Sequence, residues 1–367
     1  MGTLDMWRFL SYLTKSFLFT WLTVAFGFLV LIGLLDSLAN GGDILADDGN
    51  FIDTFRYMSF RAPVIFDRIF IFTIHVAVLL TFVKLIRNHE LVALLGFGIS
   101  PPKQIALLTP AVVGAAVFSV IVINLFMPPS VRALQEWGIG EYKIKNVTEA
   151  KPLWMEDGGR LMRASQRFDM KTLGSLELID RSESSGSVSQ IVWAERAVYQ
   201  PTGNWELSGV ETLPIEQTDG KPRLTLKTSK TMIWETKQTP QSIARLAAEP
   251  RDIALSDMKG FMEKGSSGSK PSFAYVFWYW HRVTRPLAAF ILLLCAAPIM
   301  QRTGRQDTGD KALITGITIG FIFLIMDGAM ATFAASGGVA TSYAIVFPLA
   351  LFALGGLFML LRTESLS

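Results

Sequence analysis

The chain has 367 residues, 50% of them apolar and only 18% charged, with a net charge of +3. A composition this apolar, with positive mean hydropathy, excludes an ordinary soluble domain, and so small a net charge leaves no footprint for nucleic acid. The single cysteine, Cys295, excludes a disulfide framework, so any exported domain has to rely on a packed core.

A bilayer core of ~30 Å takes about 20 largely apolar residues in a helix. Six stretches qualify: 17–35, 63–86, 105–127, 287–300 with an aromatic lead-in from Phe273, 312–334 and 343–361. Arg8 and Lys15 precede the first, as in a signal peptide, but no small-x-small cleavage site follows, so it reads as an uncleaved span. Gly27 and Gly33 give that span a small face for helix packing. The loop after it holds five aspartates and two arginines. The next loop is basic through Lys84, Arg87 and Lys103, and the loop 301–311 through Arg302, Arg305 and Lys311. Lys and Arg mark the cytoplasmic side, which puts both termini in the cytoplasm and the long polar region 128–272 outside.

Between spans two and three lies "RNHELVALLGFGISPP". Leu91, Leu94 and Leu95 recur at helical spacing after Glu90, which predicts a short amphipathic helix within 87–100 on the cytoplasmic side of the bilayer. Gly96 and Gly98 end it, and Pro101 and Pro102 turn the chain back. Two readings stand: a surface helix that covers the bundle, or a docking element for a soluble partner, with Glu90 offered to a basic residue.

The region 128–272 reads as β. "GRLMRASQ", "GSLELID", "SQIVWAERAVYQ", "NWELSGVETL" and "RLTLKTSKTMIWE" are short, rich in Val, Ile, Leu and Trp, and separated by "EDGG", "PTGN" and "TDGKP" turns. A compact sandwich or jelly roll is expected, with "EKGSSGSKPS" as a flexible link behind it. The predicted fold is thus a membrane α-helical bundle of six transmembrane helices with an inserted all-β jelly-roll domain. Its divisions are 1–127, 128–272 and 273–367.

Arg61, Arg68, Arg132, Arg282 and Arg285 fall near the outer boundary of the spans, with aromatic residues in "FAYVFWYWHRVTRP". Plain interfacial anchoring is one reading. A site for a phosphorylated lipid is the other, because the planar guanidinium donates paired hydrogen bonds to phosphate. Asp67 beside Arg68 partly neutralises such a site. Asp327 lies toward the outer end of span five, as an interfacial carboxylate or as a group facing a bundle interior. Gly316 and Gly320 form a small-xxx-small pair in the same span. No phosphate loop, zinc pattern or nucleophile elbow is visible, so catalysis by this chain is not expected.

The segment "RNHELVALLGFGIS", the strand motifs "PLWMEDGGRLMRA" and "YQPTGNWELSGVE", and "YWHRVTRPLA" with Trp280, Arg282 and Pro286 occur in an order and spacing that resemble the lipopolysaccharide export permease family. Its members are the paired subunits LptF and LptG, and this sequence is more similar to the LptG branch. The resemblance implies an ATP-driven extractor of lipopolysaccharide in the inner membrane of a Gram-negative bacterium, with a periplasmic β-domain. It also implies an LptF-like permease partner, a cytoplasmic LptB-like ATPase dimer, and LptC-like and LptA-like bridge proteins; no cofactor is expected in this chain. In that frame the coupling helix comprises Arg87, Glu90, Leu91, Leu94, Gly96 and Gly98. Spans one and five form a lateral gate that includes Gly27, Gly33, Gly316, Gly320 and Asp327. The LptG branch carries lysines after the first span, whereas this chain has "DSLANGGD". Phosphate contacts then fall to Arg61, Arg68 or Arg132, or the lipid carries fewer phosphates. A membrane-anchored assembly or sensor protein is the rival class, but it should carry a cytoplasmic output domain. A lipoprotein-releasing type of permease usually has four spans.

Overall fold

The structure, a computed structural model, describes residues 3–46, 49–139, 142, 152–157, 160–169, 171–182, 186–218, 221–236, 238–263, 270–303 and 310–364. Residues 264–269 of the expected flexible link and 304–309 of the loop 301–311 lie outside the described residues. The chain divides into two compact units, the first made of Met1–Ala39, Arg61–Met127 and Val276–Ser367, the second of Asn40–Phe60 and Pro128–Tyr275.

In chain order, α1 (Thr3–Ala39) is followed by the short α2 (Gly41–Ile44), α3 (Phe51–Arg87), α4 (Glu90–Gly96) and α5 (Pro101–Trp137). The strands among the described residues are β1 (Leu153–Asp157), β2 (Arg160–Asp169), β3 (Thr172–Arg181), β4 (Val188–Tyr199), β5 (Trp205–Thr218), β6 (Lys221–Leu224) and β7 (Lys227–Trp234). Then come α6 (Pro240–Ala247), α7 (Leu255–Glu263), α8 (Ser272–Val283), α9 (Arg285–Thr303), α10 (Asp310–Ala335) and α11 (Thr341–Glu364). Five of these helices, α1, α3, α5, α10 and α11, are long and apolar enough to cross a membrane; α8 and α9 make a sixth span if the pair is taken together across its 52° bend. The sequence reading treats this span as continuous. It breaks because Pro286 has no N–H to offer the Arg282 carbonyl, and its ring disfavours helix through that point.

In the first unit α3 is central: 78% of its apolar window is buried, against 17% for α1 and for α10. One apolar cluster joins Phe17 and Trp21 of α1, Phe70, Ile74 and Leu79 of α3, Leu91 of α4, Val112 of α5 and Leu293 of α9. Trp21 and Phe70 meet edge to face in a T-shaped pair with ring centres 5.9 Å apart, a geometry that the ring quadrupoles favour.

In the second unit, β1 to β5 pair consecutively as an antiparallel meander, and β5 also pairs with β6 and β7. Cross-strand rows carry the core, for example Leu153, Ala164, Leu176, Ala194 and Val210, which are mutual register partners from β1 to β5 and all buried. Opposite-facing neighbours form a polar row in which Glu177 accepts from Arg163 at 3.4 Å and from the Trp193 indole at 3.2 Å. At one level the register passes over Ser165, Ser175, Glu195, Gly209 and Lys230 in neighbouring strands. There the alternation slips by one residue, so Leu173 and Leu176, Ala194 and Ala197, and Leu207 and Val210 are all buried despite odd spacing. Ser175 and Gly209 take φ of 48° and 63° at this crease, the local backbone that bulges use to bend a sheet.

The expected antiparallel β-region is present, the described strands pairing in one sheet in meander order. One expectation changes. The region is not all-β, because helices supply a second layer: Ile243 of α6 is buried in the sheet's cluster and Phe261 of α7 packs against it. The signal for α6 is present in "TPQS". Thr239 caps it, its Oγ1 accepting from Ser242 N at 3.2 Å while Ser242 Oγ accepts from Thr239 N at 2.9 Å, with Pro240 in the first turn, where no N–H is needed.

Candidate functional site

At the end of the spans away from α4, the first unit gathers charges in pairs. Arg61 is buried and bidentate on Asp36, at 2.8 and 3.1 Å. Arg285 is buried with Asp67, its Nη2 donating to Oδ1 at 2.5 Å and to the backbone oxygen at 3.3 Å, and its guanidinium lies 5.8 Å from the centre of the Phe70 ring. Arg282 is buried and reaches Met127 Sδ at 3.7 Å. Arg68, one residue beyond Asp67, is exposed instead. Asp327 of α10 pairs with His281 of α8, 3.0 Å from Nε2. Arg132 belongs to the second unit, where it is exposed. Buried ions need partners, and at Arg61 and Arg285 the sequence offers them 25 and 218 residues away.

The break between α8 and α9 leaves a small cleft lined by His281, Thr284, Arg285 and Asp327 among apolar neighbours. Arg285 Nε and Nη1 are buried and find no protein acceptor. Such atoms call for a polar occupant, of which water is the simplest. Among the described residues no group of three or more His, Cys, Asp or Glu is arranged to hold a metal ion.

At the other end of this unit, α4 forms where the sequence predicts a helix. His89 enters it at φ 58° and Gly98 leaves it at φ 75°; Ile99 N bonds back to the Leu94 oxygen at 3.0 Å, a glycine-dependent C-terminal cap. Leu91 and Leu94 are buried, while Val92 and Phe97 are 59% and 69% exposed. The outward face of α4 is therefore carried by Val92, Phe97, Gly96 and Gly98, and the two leucines fasten the helix. Glu90 is already held in the chain, accepting at Oε1 from Tyr12 Oη at 2.9 Å and Asn88 Nδ2 at 3.0 Å. Arg87 pairs with Asp310 at 3.0 Å on the surface.

The model of the family described as "Lipopolysaccharide export system permease LptF/LptG" matches residues 11–362. The chain belongs to the LptF/LptG family. It is 22% identical over 211 residues to the lipopolysaccharide export system permease protein LptG of Escherichia coli (strain K12), covering 57% of this chain and 58% of that protein. It is 19% identical over 231 residues to the LptG of Haemophilus influenzae, covering 59% of this chain and 63% of that one. The chain thus matches less than two thirds of the length of these relatives.

Within this LptF/LptG chain the small residues split. A Cβ on Gly316 would lie 2.4 Å from Leu79 and one on Gly320 2.4 Å from His75, both on α3, whereas Gly27 has open space around it. Gly33 is buried. Span five therefore packs its glycines against span two, and His75 Nε2 bonds the Gly316 carbonyl at 2.8 Å. Phe72 of α3 stands between spans one and five, 5.4 Å from Phe28 and 4.8 Å from Phe321 by ring centres. Sequence reasoning misses Asp36, Phe72, His75, Val92 and Phe97. Only Phe97 carried a local signal, an aromatic between two glycines at a helix end.

Proposed function

We propose that this chain is a permease subunit of an ATP-driven transporter that extracts lipopolysaccharide from the outer leaflet of an inner membrane and passes it to a periplasmic bridge. The observation that carries the proposal is the family match over nearly the whole chain. Both termini lie in the cytoplasm and the β-rich unit in the periplasm, in line with the Lys and Arg excess of the loops. An LptF-like subunit pairs with it. ATP binding and hydrolysis in an LptB-like dimer move α4, whose exposed Val92 and Phe97 fit a groove on a soluble partner.

The lateral gate lies between spans one and five, with Gly27 and Gly33 on one side and Gly316, Gly320 and Asp327 on the other. Phe72 offers a common wedge for both. The lipid headgroup meets Arg61, Arg68, Arg132, Arg282 and Arg285; the exposure of Arg68, against the burial of Arg61, favours Arg68 for direct contact. Extraction needs external work, since each buried CH₂ of an acyl chain holds the lipid by ~0.8 kcal/mol. The sheet serves as a jelly-roll-type module that continues edge to edge into LptC-like and LptA-like proteins, as strand addition permits.

The test is purification in mild detergent with identification of every associated protein and lipid, followed by reconstitution. An ABC ATPase, a second permease and ATP-dependent lipopolysaccharide release are expected. A preparation with neither ATPase nor lipopolysaccharide overturns the reading.

A further inference from the structure

The second unit carries a pocket of which the transport reading uses only Arg132. It is a small cleft, partly open to solvent, between α5, α6, the Pro250–Asp252 turn and α7. Its floor is apolar, with Val131, Ala248 and Ile253 all buried. Around that floor stand Arg132 and Gln135 of α5, Gln241 of α6, Asp252 of the turn and Asp257 of α7. Asp252 is only 5% exposed and its Oδ2 accepts from the Tyr142 hydroxyl at 3.3 Å, which holds this carboxylate in a fixed orientation.

The hydrogen-bonding inventory selects the ligand. Ionised carboxylates only accept, a guanidinium only donates, and carboxamides do both. An anion drawn to Arg132 would face the carboxylates of Asp252 and Asp257 in the same pocket. A cation would face Arg132. Vicinal hydroxyls donate and accept on neighbouring atoms without charge, and the C–H face of a sugar ring suits the apolar floor. We propose that this pocket is a saccharide subsite that takes a neutral sugar residue of the cargo. The inference rests on the lipopolysaccharide reading above. It assigns Arg132 to a sugar hydroxyl and leaves phosphate to the arginines of the first unit.

The experiment holds the full chain in lipid nanodiscs and titrates it with two probes, the delipidated core oligosaccharide of lipopolysaccharide and lipid A without core sugars. Saturation-transfer NMR and calorimetry read the binding. The oligosaccharide is expected to bind, and Gln241→Leu with Asp257→Asn to weaken it by about tenfold while lipid A binding changes by less than about twofold, the mark of lost hydrogen bonds at one subsite. Gln241→Leu alone, at an exposed position, gives the same readout should the double variant fold poorly. No oligosaccharide binding by the unaltered chain, or equal affinity in the variants, overturns the subsite. Failure of the assembled transporter to release lipopolysaccharide overturns the export reading separately, because the oligosaccharide titration does not depend on it.

Discussion

The Tyr12 hydroxyl donates a 2.9 Å hydrogen bond to Glu90 Oε1, so α1 is tied to the first residue of α4. Tyr12→Phe removes the donor and leaves the ring. A hydrogen bond to a charged group at a partly exposed site contributes about 1 kcal/mol, so local opening of α4 should rise about fivefold. Hydrogen exchange at the Ala93 and Phe97 amides is the measurement. Glu90→Arg should release α4 in the same way and also abolish ATPase association; intact association would remove Glu90 from the docking surface.

Leu94 and Phe97 make a second contrast on the same helix. Leu94→Ala empties a buried position and should destabilise the first unit by about 2–5 kcal/mol. Phe97→Ser changes an exposed side chain and should alter stability by less than about 0.5 kcal/mol, yet it should strip the ATPase from the purified complex. If both variants retain the ATPase and melt normally, α4 is neither fastened nor docked as described.

Asp67 and Arg285 form an ion pair with side chains only 1% and 4% exposed. Asp67→Ala leaves a buried guanidinium without its counter-charge and should cost about 3–5 kcal/mol, read as a lower melting temperature in detergent. The double variant Asp67→Leu with Arg285→Met removes both charges and should recover most of that loss. A double variant as unstable as the single one would show that the pair's surroundings, and not its charges, set the cost.

Gly320→Ala places a methyl carbon where His75 stands, whereas Gly27→Ala meets nothing within 4 Å. The first should destabilise by about 1–3 kcal/mol through overpacking and loosen the His75 bond to Gly316. The second should be neutral or gain up to about 1 kcal/mol of helix propensity. Thermal melts of the two, side by side, check the packing of span five on span two.

The crease in the sheet gives a paired test in the second unit. Gly209→Ala imposes a side chain at φ 63° and should cost about 1–2 kcal/mol. Ser175→Gly relieves φ 48° in the neighbouring strand and should cost little or stabilise. Denaturant midpoints that move in the opposite order would mean that the crease does not require its backbone.

The spans were legible because a bilayer demands long apolar runs, and α4 because three leucines at helical spacing sit between a polar start and two glycines. The partners of the charges were not. Nothing near Arg285 announces Asp67, since the contact depends on how two distant helices pack. The same holds for Gly316 and Gly320, whose small face was visible but not the helix it meets. In the sheet the alternation marked the strands, yet its one-residue slip at Ser175, Glu195 and Gly209 looks, in sequence, like an ordinary irregularity. The continuation of α3 to 37 residues, about 55 Å at 1.5 Å per residue, was hidden because its first turns are polar enough to resemble a loop.

Among the described residues β1 pairs only with β2, and β7 only with β5. Among these residues the sheet ends in β1 on one side and in β6 and β7, the latter eight residues long, on the other. Open edges of this kind recruit other strands without regard to identity. A copy made in excess of its neighbours would be prone to sticking to itself or to stray chains, and so a target for proteolytic clearance. Under the proposed pairing with other subunits, the cell is then expected to match the supply of this chain to theirs, so that its abundance follows from the proposed assembly.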